Sequence, residues 1–251
     1  MTNPFTKQTV LIFSMLAICS VGCSAIPLKS PLSGKTSTAL GDSTLPPKDA
    51  AKVCVSTAKQ LHQRGEFAQA AAMLERGRTL APKGYDYSRH LAALYSNLEI
   101  AEKAEAEYQL ALSASPQDAD LWNDYGYFQY RQNQFAAAEK SFRQALSIDP
   151  QHEKASMNLS VALVSMDRLP EAYERFEKIV GPAAAHQNIG VLLAKQGRTT
   201  EAETAFNHAI RLEPNTKIAH AFLNSLEKQK LDAARAQQRL ATSEDGMAVY
   251  R

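Results

Sequence analysis

The residues able to do acid, base or metal chemistry are scattered along this chain. None of the histidines has another histidine four residues away or a cysteine beside it, and these are the spacings expected of metal ligands; they stand at positions 62, 90, 152, 186, 208 and 220. The carboxylates at Glu99, Glu102 and Glu105 follow helical spacing, which is typical of a solvent-facing side. No Gly-x-Ser-x-Gly nucleophile motif occurs. The sequence therefore predicts no metal site, no cofactor and no enzymatic activity.

One short stretch, residues 33–36 (SGKT), ends like a phosphate-binding loop. That motif requires a glycine five residues before Gly34, with a strand before it and a helix after it. Lys29 occupies the glycine position. We therefore expect neither nucleotide binding nor a small-molecule substrate.

Cys23 is the cysteine with the clearest chemical context. It follows the uncharged apolar run TVLIFSMLAICSVG, and Lys7 precedes that run. The apolar core is about 13 residues long, shorter than the roughly 20 needed to span a bilayer as a helix. Residues 1–22 are therefore interpreted as an export signal.

The end of this signal, SVGC at residues 20–23, resembles the lipobox of bacterial lipoproteins. That family usually has Leu where this chain has Ser20, and Ser24 stands where inner-membrane lipoproteins carry Asp. The resemblance implies that Cys23 becomes the lipidated N-terminus. It also implies a place in the bacterial envelope, at the outer membrane facing the periplasm. With Cys19 removed and Cys23 acylated, Cys54 remains as a single thiol and is interpreted as a packed small residue.

Charge gives no sign of a nucleic-acid partner. The 251 residues carry 28 Lys+Arg and 26 Asp+Glu, a formal net charge of +2. The two signs are interspersed, so no basic stripe is available to neutralise phosphates. Residues 23–50 are rich in Ser, Thr, Pro and Gly without apolar periodicity, which predicts a flexible linker.

The rest of the chain is built from internal repeats with a spacing of 34 residues. Small residues recur in register at Ala70, Ala104, Ala138 and Ala172, and bulky ones at Leu74, Tyr108, Phe142 and Phe176. This pattern resembles the tetratricopeptide repeat (TPR), and the best copy, 119–152, has Trp122, Tyr125, Gly126, Ala138, Phe142, Ala145 and Pro150 at signature positions. The resemblance implies an all-α fold, an α-solenoid of about five helix-turn-helix repeats.

The predicted repeats are 51–84, 85–118, 119–152, 153–182 and 183–216. The fourth is four residues short, so its second helix is expected to end about one turn early, at Gly181 and Pro182. Residues 217–240 have an apolar stripe and are predicted to form a capping helix. Residues 241–251 are predicted to be a disordered tail.

By resemblance to the family, the first helix of each repeat lines a concave groove that binds a partner. Polar, basic and tyrosine side chains at the groove positions suit an extended peptide, because they can both donate to and accept from a peptide backbone. The candidate binding residues are Arg89, Asn123, Tyr127, Tyr130, Arg131, Asn158, Asn188 and Lys195. Asn158 and Asn188 share the sixth position of successive repeats, which predicts a ladder along the bound peptide.

The expected function is a non-enzymatic scaffold for protein–protein interaction, anchored in the envelope by its N-terminal lipid. The layout of a lipoprotein signal followed by a short repeat array also resembles assembly lipoproteins of pili. One process that this resemblance implies is the assembly of a pilus, a secretion system or another envelope complex. An alternative is an accessory protein of the cell wall that binds glycan through Tyr127 and Tyr130.

Overall fold

The computed structural model describes residues 45–248, apart from the side chains of Ala233 and of residues 236–248. The predicted signal, the lipidation candidate Cys23 and most of the predicted linker lie outside the described residues. The described residues form α-helices and contain no strand. The helices are α1 Pro47–Gln63, α2 Phe67–Leu80, α3 Tyr87–Asn97, α4 Ala101–Ala114, α5 Ala119–Arg131, α6 Phe135–Ile148, α7 Glu153–Ser165, α8 Leu169–Val180, α9 Pro182–Lys195, α10 Thr199–Leu212 and α11 Lys217–Ala248.

The turn inside each helix pair is built the same way five times. Each turn has three residues, and its middle residue has a positive φ of 59–77°; these residues are Gly65, Glu99, Asn133, Asp167 and Gly197. The next amide donates to a carbonyl five residues back, as from Ile100 N to Tyr95 O at 2.9 Å, which is the Schellman way of ending a helix. Because each turn reverses the chain so tightly, the two helices of a repeat pack side by side. The predicted all-α solenoid of helix pairs is confirmed.

Small residues allow the helices of a pair to approach, and aromatic rings fill the space beside them. A Cβ added at Gly126 would lie 2.7 Å from Cε1 of Phe142. Phe142, Phe176 and Phe206 recur at the same place in successive repeats and are almost fully buried. This packing explains the small-and-bulky alternation in the sequence, since a larger residue at Gly126 would collide with the ring.

The buried residues form two clusters that meet at α5. Leu121 and Phe128 belong to the cluster of the first repeats, and Trp122 packs against it. Tyr127 and Tyr130 pack instead against the cluster that begins at Ala138 and runs to α11. Helix α5 is therefore the element that joins the two halves of the core.

The short fourth repeat alters one connection. Helix α8 has 12 residues where α6 has 14, and Gly181, with a φ of 84°, is the only residue between α8 and α9. Helix α8 is thus two residues shorter rather than about one turn shorter as predicted, and Pro182 begins α9 instead of only ending α8. The rest of the register slip lies in the shorter connection, and α9 and α10 still pack as a pair.

Two predicted boundaries differ from the structure. Helix α1 begins at Pro47 rather than at residue 51, because Pro47 supplies the fixed φ favoured at a first helical position. Helix α11 runs to Ala248, so residues 241–248 are helical where a disordered tail was predicted. Those eight residues contain no proline, so nothing in them forces the helix to stop. Within the described residues, no helix combines the length and the apolar character needed to cross a bilayer.

Candidate interaction groove

The odd-numbered helices form the inner layer of the solenoid. Helix α5 contacts both α3 and α7, and α7 also contacts α9. No comparable set of contacts joins the even-numbered helices of the described chain. In a curved stack the helices on the inner side approach one another more closely, so the odd-numbered helices line the concave surface. We call this surface the groove.

Asn123 and Asn158 form a direct bond across the groove. Asn158 Nδ2 donates to Asn123 Oδ1 at 2.8 Å, and Asn123 also lies beside Asp124. Asn123 is 5% exposed and Asn188 is 9% exposed, whereas Asn158 is half-buried. Both buried side chains were predicted to face a ligand. They are covered because successive inner helices pack on each other, so these positions are shared between the groove and the contact between repeats.

The observed amide pair also differs from the predicted ladder. That ladder placed Asn158 in register with Asn188, one repeat further along. The Asn158 side chain donates instead toward the N-terminal side of the solenoid, to Asn123 on α5. The reason is that Asn123 occupies the fifth position of its repeat, and the inner helices are offset enough for a fifth-position amide to meet a sixth-position amide.

The basic candidates divide into one that is tied down and two that are exposed. Arg89, on α3, forms a part-buried ion pair with Asp118, whose other carboxylate oxygen caps α5 by accepting from Leu121 N at 2.9 Å. Arg131 is exposed; it donates to Ser96 O at the end of α3 at 3.3 Å and forms an ion pair at 3.7 Å with Glu99, in the turn after α3. Lys195 is exposed at the end of α9, and crowding by neighbouring atoms lowers the pKa of its ammonium group. Lys195 and Arg131, whose ion-pair partner Glu99 is itself exposed, are the basic candidates most accessible to a partner.

The two tyrosines predicted to face the groove contribute to packing as well. Tyr127 and Tyr130 are half-buried and contact the C-terminal cluster. The Tyr130 hydroxyl lies 3.1 Å from Ser165 Oγ, and its ring lies 5.4 Å from that of Phe135. The pair is therefore not the open stacking platform that glycan binding favours.

Asp124 adds a negative charge to the same surface. It is accessible to solvent but lies on the concave side, where the surrounding atoms partly desolvate it and raise the pKa of its carboxyl group. The nearby charges of Arg89 and Lys154 oppose that effect. The middle of the groove thus presents the exposed acid Asp124 and the exposed base Lys154 beside the half-buried amide of Asn158, and groups of these types can pair with the backbone and the charged side chains of a peptide.

Two other residues that could do acid, base or nucleophilic chemistry, His186 and Cys54, pack against neighbours in the described part of the chain. His186 lies between Tyr173 and His208, with ring centroids 4.5 and 4.9 Å away. Cys54 is a buried free thiol. Among residues 45–248, no group of three metal-ligating side chains comes together.

A row of lysines beside the first helix was only partly found from the sequence. Lys48, Lys52 and Lys59 lie along one side of α1, with the spacing of four and seven residues that a helix brings to one side. Lys52 and Lys59 occupy groove positions of the first repeat by resemblance to the family, but Lys48 was assigned to the linker, so the row was not recognised.

Several known proteins resemble this chain. Residues 88–220, just over half of the chain, match the family model for the middle TPR-like domain of cilia and flagella-associated protein 70. Type IV pilus assembly protein PilF of Pseudomonas aeruginosa is 28% identical over 46% of this chain and 47% of its own length. The human protein O-mannosyl-transferase TMTC3 is 29% identical over 46% of this chain and 15% of its own length. The chain thus matches about half of one curated relative and a small part of the other.

Solved structures share the architecture. The match to the PilF structure from Pseudomonas aeruginosa covers 78% of this chain and 98% of the PilF chain, with 19% identity and a TM-score of 0.54. YrrB, a TPR protein described as having an unusual peptide-binding site, covers 69% and 92%, with 22% identity and a TM-score of 0.52. A TPR protein of Parabacteroides merdae covers 75% and 77%, with 18% identity and a TM-score of 0.57. Similarity at this level of identity concerns the fold. The helix pairs, their repeated turns and the matching family model together establish that the chain belongs to the tetratricopeptide repeat family.

Proposed function

We propose that this chain is a non-enzymatic scaffold that binds an extended segment of a partner protein in the groove. The observation that carries the proposal is the row of hydrogen-bonding and charged side chains along α3, α5, α7 and α9. Arg131 and Lys195 are exposed there, and Asn158 is half-buried. A peptide laid across these helices would hydrogen-bond through its backbone to the half-buried Asn158 and pair its charged side chains with Asp124, Arg131 and Lys195.

The resemblance to a pilus assembly protein supports a role in building an envelope machine. PilF matches in sequence over about half of each chain and in fold over most of this one. We propose that the partner is a protein of a pilus, a secretion system or a similar complex.

We further propose that Cys23 carries a lipid and that the repeats stand in the periplasm, tethered to the outer membrane. The support is the stretch SVGC at residues 20–23 with the apolar run before it. Residues 24–44 would then serve as the tether between the lipid and α1.

Affinity capture tests the binding surface. The chain lacking residues 1–23 is used to capture envelope proteins, with Arg89→Ala, Tyr127→Ala and Asn158→Ala combined in one variant. Because these three side chains also make contacts within the fold, a second variant combines Arg131→Ala and Lys195→Ala. The control combines Glu102→Ala, Lys140→Ala and Glu174→Ala, which are exposed on even-numbered helices.

We expect both groove variants to lose the captured partner while the control retains it, with thermal unfolding confirming that each variant is folded. Retention of every partner by both groove variants would show that the groove assignment is wrong. Retention of the chain on purified peptidoglycan without any protein partner would favour the cell-wall alternative.

A separate experiment tests the anchor. We expect Cys23→Ala to release the protein into the soluble fraction or to block removal of the signal. Membrane association that stays unchanged in Cys23→Ala would contradict lipidation at that residue.

A further inference from the structure

A basic cleft lies at the N-terminal end of the groove, between α1 and the segment that joins α2 to α3. Its volume is about 230 Å³. The residues around it fall into a lysine rim and an apolar wall with two tyrosines. The rim contains Lys48, Lys52, Lys59 and Lys83, and the wall contains Ala51, Val55, Ala81, Tyr85 and Tyr87.

The charges of the rim are largely unpaired within the described chain. Lys52 forms an ion pair with Asp49 at 2.9 Å. Lys48, Lys59 and Lys83 are exposed, and none of them forms an ion pair with a described residue. The Nζ atom of Lys59 lies 5.9 Å from the centre of the Tyr85 ring. Four ammonium groups around one recess, only one of them paired, attract an anionic ligand.

The wall contains one polar atom that lacks a partner. Tyr85 is held by its neighbours, with its ring 4.9 Å from that of His90 and 5.0 Å from that of Tyr87. Its hydroxyl group is shielded from solvent and forms no hydrogen bond within the described residues. A buried hydroxyl without a partner is unfavourable, so ligand binding that shifts the Tyr85 ring enough to give this hydroxyl an acceptor would be stabilising.

We propose that this cleft binds an acidic segment of the partner peptide, with carboxylates on the lysine rim and an apolar side chain on the wall. The proposal rests on the proposed function, and it adds the chemical class of the peptide and the end of the groove that selects it. An acidic peptide fits better than an anionic membrane surface, because the lysines surround a recess with apolar walls rather than a flat face.

Fluorescence anisotropy with defined probes tests the proposal on the full chain purified in detergent. The probe is a labelled octapeptide of alternating Glu and Val, and its neutral counterpart has Gln in place of each Glu. Vesicles of phosphatidylglycerol in phosphatidylcholine represent an anionic membrane. We expect the Glu peptide to bind at least about tenfold more tightly than the Gln peptide and to weaken as salt is added.

Lysine variants with equal charge changes locate the site. The cleft variant combines Lys48→Gln, Lys59→Gln and Lys83→Gln. The control combines Lys140→Gln, Lys178→Gln and Lys228→Gln, which are exposed on α6, α8 and α11. We expect the cleft variant to weaken binding of the Glu peptide by about tenfold or more and the control to change it little. Equal weakening in both variants, or equal binding of the Glu and Gln peptides, would overturn the proposal.

Two further comparisons distinguish failure of the cleft assignment from failure of the proposed groove function on which it rests. If Arg131→Ala with Lys195→Ala abolishes peptide binding while the cleft variant binds normally, the groove binds peptide and the assignment of the cleft is wrong. If the cleft variant loses binding to the vesicles but the wild type never binds the Glu peptide, the lysines serve a membrane surface and the proposal fails.

Discussion

At the residue scale, Gly126 is the position at which one added carbon has the clearest expected effect. We predict that Gly126→Ala destabilises the protein by about 1 kcal/mol. The new Cβ would stand 2.7 Å from Phe142 Cε1 and 3.1 Å from Ser141 Cβ, and overpacking of this kind costs about 1–3 kcal/mol. The better helix propensity of alanine offsets roughly 1 kcal/mol of that cost. Urea unfolding measures the change.

The equivalent glycine in the fifth repeat provides the comparison. At Gly190 the nearest atoms of Phe206 would lie 3.0–3.1 Å from the added Cβ, so the expected loss is smaller. A Gly126→Ala protein that unfolds at the same urea concentration as the wild type would contradict the close approach.

The amide pair that crosses the groove is a second residue-scale test. We predict a coupling free energy of about 0.5–1.5 kcal/mol between Asn123→Ala and Asn158→Ala, because each substitution removes the same hydrogen bond. Its length is 2.8 Å. A double-mutant cycle of unfolding free energies measures the coupling. The cycle between Asn123 and Asn207, an exposed residue on α10, is expected to give a coupling near zero. Additive effects at Asn123 and Asn158 would mean that the bond does not form in solution.

Tyr125 gives a prediction about alkaline pH. Burial and the hydrogen bond to Glu105, at 2.5 Å, raise the pKa of its phenol group to about 12, above the value near 10 expected in the unfolded chain. Folding therefore favours the neutral phenol. This contribution to stability is present below about pH 10 and is lost as the pH rises from about 10 to about 12.

The measurement is the urea-unfolding free energy at several alkaline pH values. We expect Tyr125→Phe to show a smaller fall in stability between pH 10 and pH 12 than the wild type, because phenylalanine cannot ionise. Burial also holds the pKa of Tyr95 and Tyr108 above its usual range, so part of the fall remains in the variant. A fall of the same size in both proteins would contradict the prediction.

At the element scale, the first part of α11 closes the open end of the solenoid. Ala219 is fully buried, Leu226 is nearly so, and the Phe222 ring lies 4.5 Å from that of Phe206. We predict that a chain ending after Thr216 has a lower unfolding temperature, because it exposes the apolar face of the last repeat. Circular dichroism on heating checks this. A chain ending after Lys230 keeps these contacts and its ion pair with Glu203 at 2.8 Å, and it is expected to melt like the full chain. Equal melting of the two truncated chains would contradict the capping role.

The helix pairs were predictable from the sequence because their packing requires small and large residues at positions that recur in every repeat. Ala138 and Phe142 must be small and large, respectively, for two helices to meet, so their types recur at the repeat spacing. The turns were harder to predict from residue type. Glu99, Asn133 and Asp167 adopt the left-handed conformation without being glycine, and the tight geometry of the turn imposes it on whichever residue is present.

The groove was only partly predictable, for a physical reason. Position in a repeat indicates the side of the helix on which a residue lies, but the neighbouring repeat determines how much of that residue is covered. Asn123 and Asn188 lie on the predicted side and are nevertheless buried. Arg89 is engaged by Asp118, at the start of the next repeat. Contacts of this kind depend on how much the stack curves, which a single repeat does not encode.

At the scale of the whole molecule, the solenoid presents two surfaces of different character. The outer, even-numbered helices carry ion pairs that link neighbouring repeats, such as Arg78 on α2 with Glu107 on α4 at 2.7 Å. The groove has exposed bases at Arg131 and Lys195, and at its N-terminal end a cleft with four lysines, of which only Lys52 forms an ion pair with a described residue. A protein partner is therefore expected on the concave side.

Photocrosslinking in cells tests that expectation most directly. A photoreactive amino acid is placed in the groove at Arg131 or Lys195, and on the outer surface at Lys140 or Glu174; all four positions are exposed. We predict that the groove positions yield a shared adduct with a partner protein and that the outer positions do not. Adducts that form from Lys140 and Glu174 but not from Arg131 or Lys195 would contradict the central claim that the partner binds in the groove.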